Sequence, residues 1–422
     1  MSRTQKPWPG LVRRTVGLER CTAAPRVSTA SISRSIPTTT SVLHFEYHLK
    51  PKLTASRIAI AGGSASFARY KPEPDPDVHL NRRTLSVRAA QLVLGVAVGI
   101  PPATFGAGVS ESSFQPIGGL GQWINIRGAD ARNPVLLVVH GGPGEAQWPV
   151  AEMYGPWEKA FTVVQWDQRG AGHTYGRYGV RTPDVTLEQI AKDGIEVVQY
   201  LCHRLQKRRI IVLGHSWGSI VGVRMVQLRP QLFAAYVGTG QVASWKESVN
   251  MQFELLRAKS QREGDATALK QFDAIGKPDP NNAQQYFSFS KGLRAAMAPS
   301  DQAWLQSLRE RASALMASDR EDFQNVLDGM DFSAKQVLPD QMKADLPTTA
   351  RRVDTAFFMI QGKDDVVTPA KAAIAYCEQV ESPHRDCIEI PGAGHFAFMT
   401  APAAFLTALT QKVRPVAIAQ GA

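Results

Sequence analysis

Apolar and polar positions follow two regimes along the chain, meeting near residue 110. Beyond that point, short apolar-rich runs alternate with longer amphipathic stretches. Gln122–Arg127 alternates apolar and polar residues, the period of two expected of a half-buried strand. Pro134–Val139, Phe161–Trp166, Arg209–Leu213, Ala234–Gly238, Ala356–Ile360 and Cys387–Ile390 are apolar-rich runs of strand length. Runs of this kind suit strands covered on both faces of a parallel sheet. Leu187–Leu205 carries a helical period, and a helix is predicted from Ser219 to about Leu228. The stretch from Gly240 to Leu346 is polar and helical in pattern, with amphipathic helices predicted over 246–263, 301–317 and 320–329. Strands alternating with helices predict an α/β protein on a largely parallel sheet, with ligands expected beyond the carboxyl ends of the strands.

Residues 1–80 show no sustained apolar period. They are rich in Ser, Thr and Arg and end in the Pro-broken run Lys71–Pro76. Such a segment buries too little apolar surface to offset its ordering entropy, so disorder is predicted. Arg82, Arg83 and Arg88 then precede the apolar stretch Ala89–Ile100, followed by Pro101, Pro102 and small residues around Ala107. These are the parts of an export signal, and the stretch falls short of the ~20 residues of a membrane-spanning helix. Two readings stay open: a signal over 82–107 that sends the protein to the periplasm or outside the cell, or an amphipathic helix on a cytoplasmic protein. The expected organisation is a basic leader (1–80), a signal-like segment (81–110), a catalytic core (111–241 and 347–422) and a helical cap (242–346).

Charge changes the picture only at the N-terminus. The net charge is +11, but residues 1–110 hold 15 Lys and Arg against 5 Asp and Glu, leaving 33 against 32 for the rest. A near-neutral body gives no support for a basic patch that would hold phosphates, which argues against a nucleic-acid partner. Of the four Cys, none shows CxxC spacing, and no HExxH motif occurs, so neither metal nor cofactor is expected. Cys377 and Cys387 are either unpaired thiols, the reading the spacing favours, or a bridge closing a short loop in an exported protein.

The chemistry-bearing motifs fall where strands end. Gly214-His215-Ser216-Trp217-Gly218 follows a predicted strand and opens a predicted helix. A G-x-S-x-G turn in that setting projects the Ser216 hydroxyl from the sheet edge as a nucleophile. His140-Gly141-Gly142-Pro143-Gly144 follows strand 134–139 and suits an oxyanion hole, with the N–H of Gly142 (Gly141 as the alternate) and that of Trp217 as donors. His140 is expected to hold this loop. Asp365, three residues after Gly362, is the expected orienting acid, and its neighbour Asp364 a turn residue. His395, in Pro391-Gly392-Ala393-Gly394-His395, is the expected base.

Together His140–Gly144, Asp167-Gln168-Arg169-Gly170-Ala171-Gly172 and Gly214–Gly218 resemble the prolyl aminopeptidase (proline iminopeptidase) family of α/β-hydrolases, over roughly residues 112–415. The resemblance implies the α/β-hydrolase fold: a mostly parallel central sheet flanked by helices, with a helical cap inserted in the C-terminal half. Asp167 and Arg169 are then expected to form a buried structural ion pair, with His173 and Thr174 in a loop. Aminopeptidases of this family need cap carboxylates for the substrate's α-ammonium, and Glu247 and Glu254, seven apart on one helix face, are the candidates, solvated surface acids being the competing reading. The aromatic- and Arg-rich cap stretch of proline-releasing members is missing here. The expected activity is hydrolysis of an amide or ester in a small molecule or short peptide by Ser216, His395 and Asp365, of the prolyl aminopeptidase type. An esterase, lactonase or amidase, and a non-catalytic binding protein of the same fold, are the competing readings.

Overall fold

The computed structural model describes residues 107–422. Along this part of the chain the strands are β1 (Val109–Ile117), β2 (Leu120–Gly128), β3 (Val135–Val139), β4 (Thr162–Asp167), β5 (Ile210–His215), β6 (Phe233–Thr239), β7 (Phe357–Gly362) and β8 (Arg385–Ile390). They form one sheet in the order β1-β2-β4-β3-β5-β6-β7-β8. Strand β2 runs antiparallel to both neighbours, while β4, β3, β5, β6, β7 and β8 are mutually parallel. The fold is therefore the expected α/β arrangement. Each apolar-rich run predicted as a strand coincides with one, beginning at most one residue before it.

Strand β1 was not legible in the apolar pattern, and it starts two residues before the expected core boundary. It is an edge strand whose interior positions alternate between half-buried and exposed, so its sequence VSESSFQPI carries no apolar run. The predicted leader, and the signal-like segment up to residue 106, lie outside the described residues.

The central strands are covered on both faces because helices pack on each side. In β3, Val135, Leu137 and Val139 enter one apolar layer, whereas Leu136 and Val138 enter the other. This is the strand's alternation expressed as two half-cores. Full burial of one such side chain stabilises by about 1.5–3 kcal/mol, and all five are at most 1% exposed.

After β3 the chain adds β4 on one side, then crosses to place β5 on the other side of β3. The connections after β3 and β5 thus diverge and leave a crevice at their carboxyl ends, the usual ligand position in such sheets. Between β6 and β7 lie the helices Trp245–Glu263, Ala266–Ile275, Ala283–Ser290, Leu293–Ala296, Pro299–Ser318, Arg320–Met342 and Leu346–Thr349. The first four share an apolar cluster built on Trp245, Val249, Phe253, Phe272, Tyr286 and Leu293. Among the described residues no helix is long and apolar enough to cross a membrane.

Cys377 and Cys387 are joined in a disulfide, contrary to the reading the spacing favoured. Tertiary packing brings the helix Ala370–Gln379 alongside β8, which ten residues of separation alone do not reveal.

Candidate active site

Ser216 occupies the turn between β5 and the helix Trp217–Leu228, with φ +52° and ψ −119°. A side-chain-bearing residue held in that region stores roughly 1–3 kcal/mol of strain. The turn is this tight because Gly218 lies against β3: a Cβ there would sit 2.0 Å from the Val139 carbonyl oxygen. The result is a half-buried hydroxyl beyond the sheet edge, at the N-terminus of a twelve-residue helix.

His395 and Asp365 come from the loops after β8 and β7. His395 Nδ1 lies 3.0 Å from Asp365 Oδ2. The same carboxylate accepts from Gln361 Nε2 at 2.8 Å, Thr368 Oγ1 at 2.7 Å, and the backbone N–H groups of Val367 and Thr368 at 2.8 and 2.9 Å. An ionised carboxylate can only accept, so this arrangement places the imidazole proton on Nδ1 and leaves Nε2 free as a base. Burial alone would push the His395 pKa down, but the negative charge and hydrogen bond of Asp365, with the charges of Asp301 and Glu145, outweigh it and hold the pKa above the ordinary value. Asp364 is exposed, its N–H bound to the Ala393 carbonyl, so of the two adjacent aspartates it is Asp365 whose carboxylate faces His395.

Ser216, His395 and Gly142 line one cavity, closed over by Leu305, Met330 and Ala334 of the insertion. Gly142, rather than Gly141, is on its wall. Its φ of +106° is open to glycine, and among the described residues its N–H donates to no protein acceptor. Trp217, as the first residue of its helix, has an N–H with no carbonyl one turn back. His140 fixes the loop: its Nδ1 lies 3.0 Å from the Gly141 oxygen, and its Nε2 accepts from the Gln168 N–H at 3.3 Å. Burial holds the His140 pKa below the ordinary value, consistent with a neutral ring that donates once and accepts once.

Asp167 and Arg169 do not pair with each other. Arg169 makes a bidentate, fully buried bridge to Asp193, at 2.7 and 3.0 Å, while Asp167 accepts from His173 Nδ1 at 2.8 Å. Their side chains diverge because Asp167 ends β4 and Arg169 lies in the turn beyond it. His173 and Thr174 belong to a short helix, Gly172–Tyr178, rather than a loop.

Glu247 and Glu254 are both exposed and line neither the Ser216 cavity nor the apolar one beside it. Their helix buries Trp245, Val249, Phe253 and Leu256 on one face. At about 100° per residue, positions 247 and 254 fall on the opposite face. Two groups were missed. Glu145 follows the Gly142 loop directly and faces both cavities, and an acid immediately after such a loop was a usable signal. Asp301 is 1% exposed and accepts from the His395 N–H at 2.6 Å, across 94 residues of sequence, which no local pattern encodes.

This chain belongs to the alpha/beta hydrolase fold family, which matches residues 134–402. Among its relatives, it is 28% identical over 303 residues to a probable aminopeptidase, YbaC, of Bacillus subtilis (strain 168), covering 71% of this chain and 94% of that one. It is 34% identical over 104 residues to a probable proline iminopeptidase of Streptomyces coelicolor, covering 25% of this chain and 32% of the relative. The proline iminopeptidase structure from Mycobacterium smegmatis shares the fold at 20% identity, with a TM-score of 0.51 over 74% of this chain and 99% of that one.

Proposed function

We propose that the protein is a serine hydrolase that releases the N-terminal residue of short peptides or aminoacyl amides. The observation that carries this is the convergence, on one cavity, of a strained, half-buried Ser216 and a His395 whose Nδ1 faces Asp365. In this reading His395 Nε2 takes the Ser216 proton as Oγ attacks the substrate carbonyl carbon. The oxyanion is held by the Gly142 and Trp217 N–H groups, which need no reorganisation as charge develops. The proton on Nε2 then passes to the departing amine, and water cleaves the acyl-enzyme by the same route. The aminopeptidase assignment draws on the YbaC relative, which matches over almost its whole length.

A second reading, hydrolysis of uncharged esters, lactones or amides, is favoured by the apolar cavity beside Ser216, lined by Trp304, Leu308, Leu315, Phe323 and Phe398. The test compares prolyl, alanyl and leucyl arylamides with their N-acetylated counterparts and with short p-nitrophenyl esters, using Ser216→Ala as the control. Turnover of free-amine substrates that is lost on acetylation and in the mutant supports the first reading. Ester turnover indifferent to an amine supports the second. Equal rates in mutant and wild type would remove Ser216 from the mechanism, and no turnover at all would favour a binding protein.

A further inference from the structure

Glu145 forms the turn that closes the Gly142 loop, its N–H donating to the Gly141 oxygen at 3.1 Å. Its side chain lines both the Ser216 cavity and the apolar cavity, at their junction with His215, Met330 and Phe396. Among the described residues no hydrogen bond or ion pair uses its carboxyl. The cations nearby are already committed. Arg311 is bound to Glu152 and to the Pro149 carbonyl. His215 is kept neutral by burial, its pKa far below the ordinary value, and His395 is matched by Asp365 and Asp301.

Glu145 is half-buried, and a carboxyl drawn that far from water with no protein partner among the described residues is ordinarily paired or neutralised. Burial pushes Glu145 up to about 7, so near neutrality the free enzyme holds it partly protonated, and a cation brought by a ligand would ionise it. Its position says where such a cation would sit. With the acyl carbon at Ser216 Oγ and its oxygen at the Gly142 N–H, the α-carbon would fall in the cavity that Ser216, Gly142 and Glu145 all line, Glu145 being three residues along the chain from Gly142. The α-carbon carries two groups, an amine and a side chain. Glu145 lines both the Ser216 cavity and the apolar one beside it, which suits the amine to the carboxylate and the side chain to the wall of Trp304, Leu308 and Phe398.

We infer that Glu145 anchors the free α-ammonium of the substrate, and that the adjoining cavity selects an apolar N-terminal side chain. This rests on the aminopeptidase reading above and adds to it the recognising group. Amine recognition then comes from the loop after β3, so that the group holding the ammonium and the group holding the oxyanion are on one rigid turn.

The test measures kcat/KM for leucyl p-nitroanilide and its N-acetyl form in wild type, Glu145→Gln and Glu145→Asp, with thermal midpoints confirming that each variant is folded. The ratio of free to acetylated turnover is expected to fall by about 100-fold in Glu145→Gln, mainly through KM, the scale of losing one partner of a desolvated charge pair. Glu145→Asp keeps the charge and is expected to hold a ratio at least tenfold above that of Glu145→Gln. Calorimetric binding of leucinamide to the Ser216→Ala protein should weaken in parallel when Glu145→Gln is added. A wild-type preference that survives in Glu145→Gln, or Gln and Asp variants that behave alike, overturns the role of Glu145 and leaves the aminopeptidase reading standing. A wild type that cleaves acetylated and free substrates equally overturns both.

Discussion

The carboxylate of Asp301, in the first turn of the insertion helix Pro299–Ser318, accepts the backbone N–H of His395 at 2.6 Å and that of Phe396 at 3.2 Å. The loop carrying the proposed base is thereby tied to the insertion as well as to the sheet. Asp301 touches no reacting atom in this scheme, and its role is to position His395 and to add negative charge beside it.

Asp301→Asn should lower kcat by about 10- to 100-fold, since misplacing a catalytic group by an ångström has effects of that order. The pH profile separates this role from a purely structural one. His395 has a raised pKa partly because of Asp301, so wild-type kcat/KM should rise with pH through a value above the ordinary imidazole range, where the base becomes neutral. Removing the Asp301 charge lowers that pKa, so the acid limb should move to lower pH. An unmoved limb would reduce Asp301 to a packing residue.

Ser216→Gly should abolish turnover and raise stability by about 1 kcal/mol. Glycine adopts φ +52° without the cost paid by a side chain, and the Ser216 N–H keeps its bond to the Thr239 oxygen. Urea unfolding of the variant against wild type reads this directly. A destabilised variant would mean the hydroxyl contributes more to the fold than the turn costs.

Asp193→Ala should destabilise by about 3–5 kcal/mol, because it leaves the Arg169 guanidinium buried without its counter-charge. Gln122 and Gln189 donate to the same carboxylate and would lose their acceptor as well. Asp193→Ala combined with Arg169→Met should recover a large part of the loss. Denaturation of the two variants tests the pair.

Replacing Cys377 and Cys387 by Ser should cost roughly 2–3 kcal/mol, the loop-closure entropy expected for a ten-residue separation. The bridge joins β8 to the helix Ala370–Gln379, away from Ser216, so the loss should appear in the unfolding midpoint under oxidising conditions. Wild type in reductant should approach the double mutant.

Much of this site could be read from local sequence because its parts are local. Ser216, Gly142, Asp365 and His395 each sit in the loop or turn that follows a strand whose apolar run is visible, and the turn chemistry after each strand is confined to a few residues. Glu247 and Glu254 failed as candidates for a different reason. Their seven-residue spacing shows that they share a helix face but not which face packs, and Trp245, Val249 and Phe253 took the buried side. Similarly, Arg169 pairs with Asp193 rather than Asp167, because the partner of a buried charge is chosen by which elements meet in space.

The sequence by itself determined the order of the strands from β2 onward and the tight turn at Ser216 between strand and helix, since apolar period, glycine placement and strand-end position act over a few residues. Only the tertiary structure decided that Glu145, without a partner among the described residues, lines both cavities, that Asp301 reaches His395 across 94 residues, and that Cys377 meets Cys387. Those relationships depend on how elements pack, and packing is set by the whole folded chain at once.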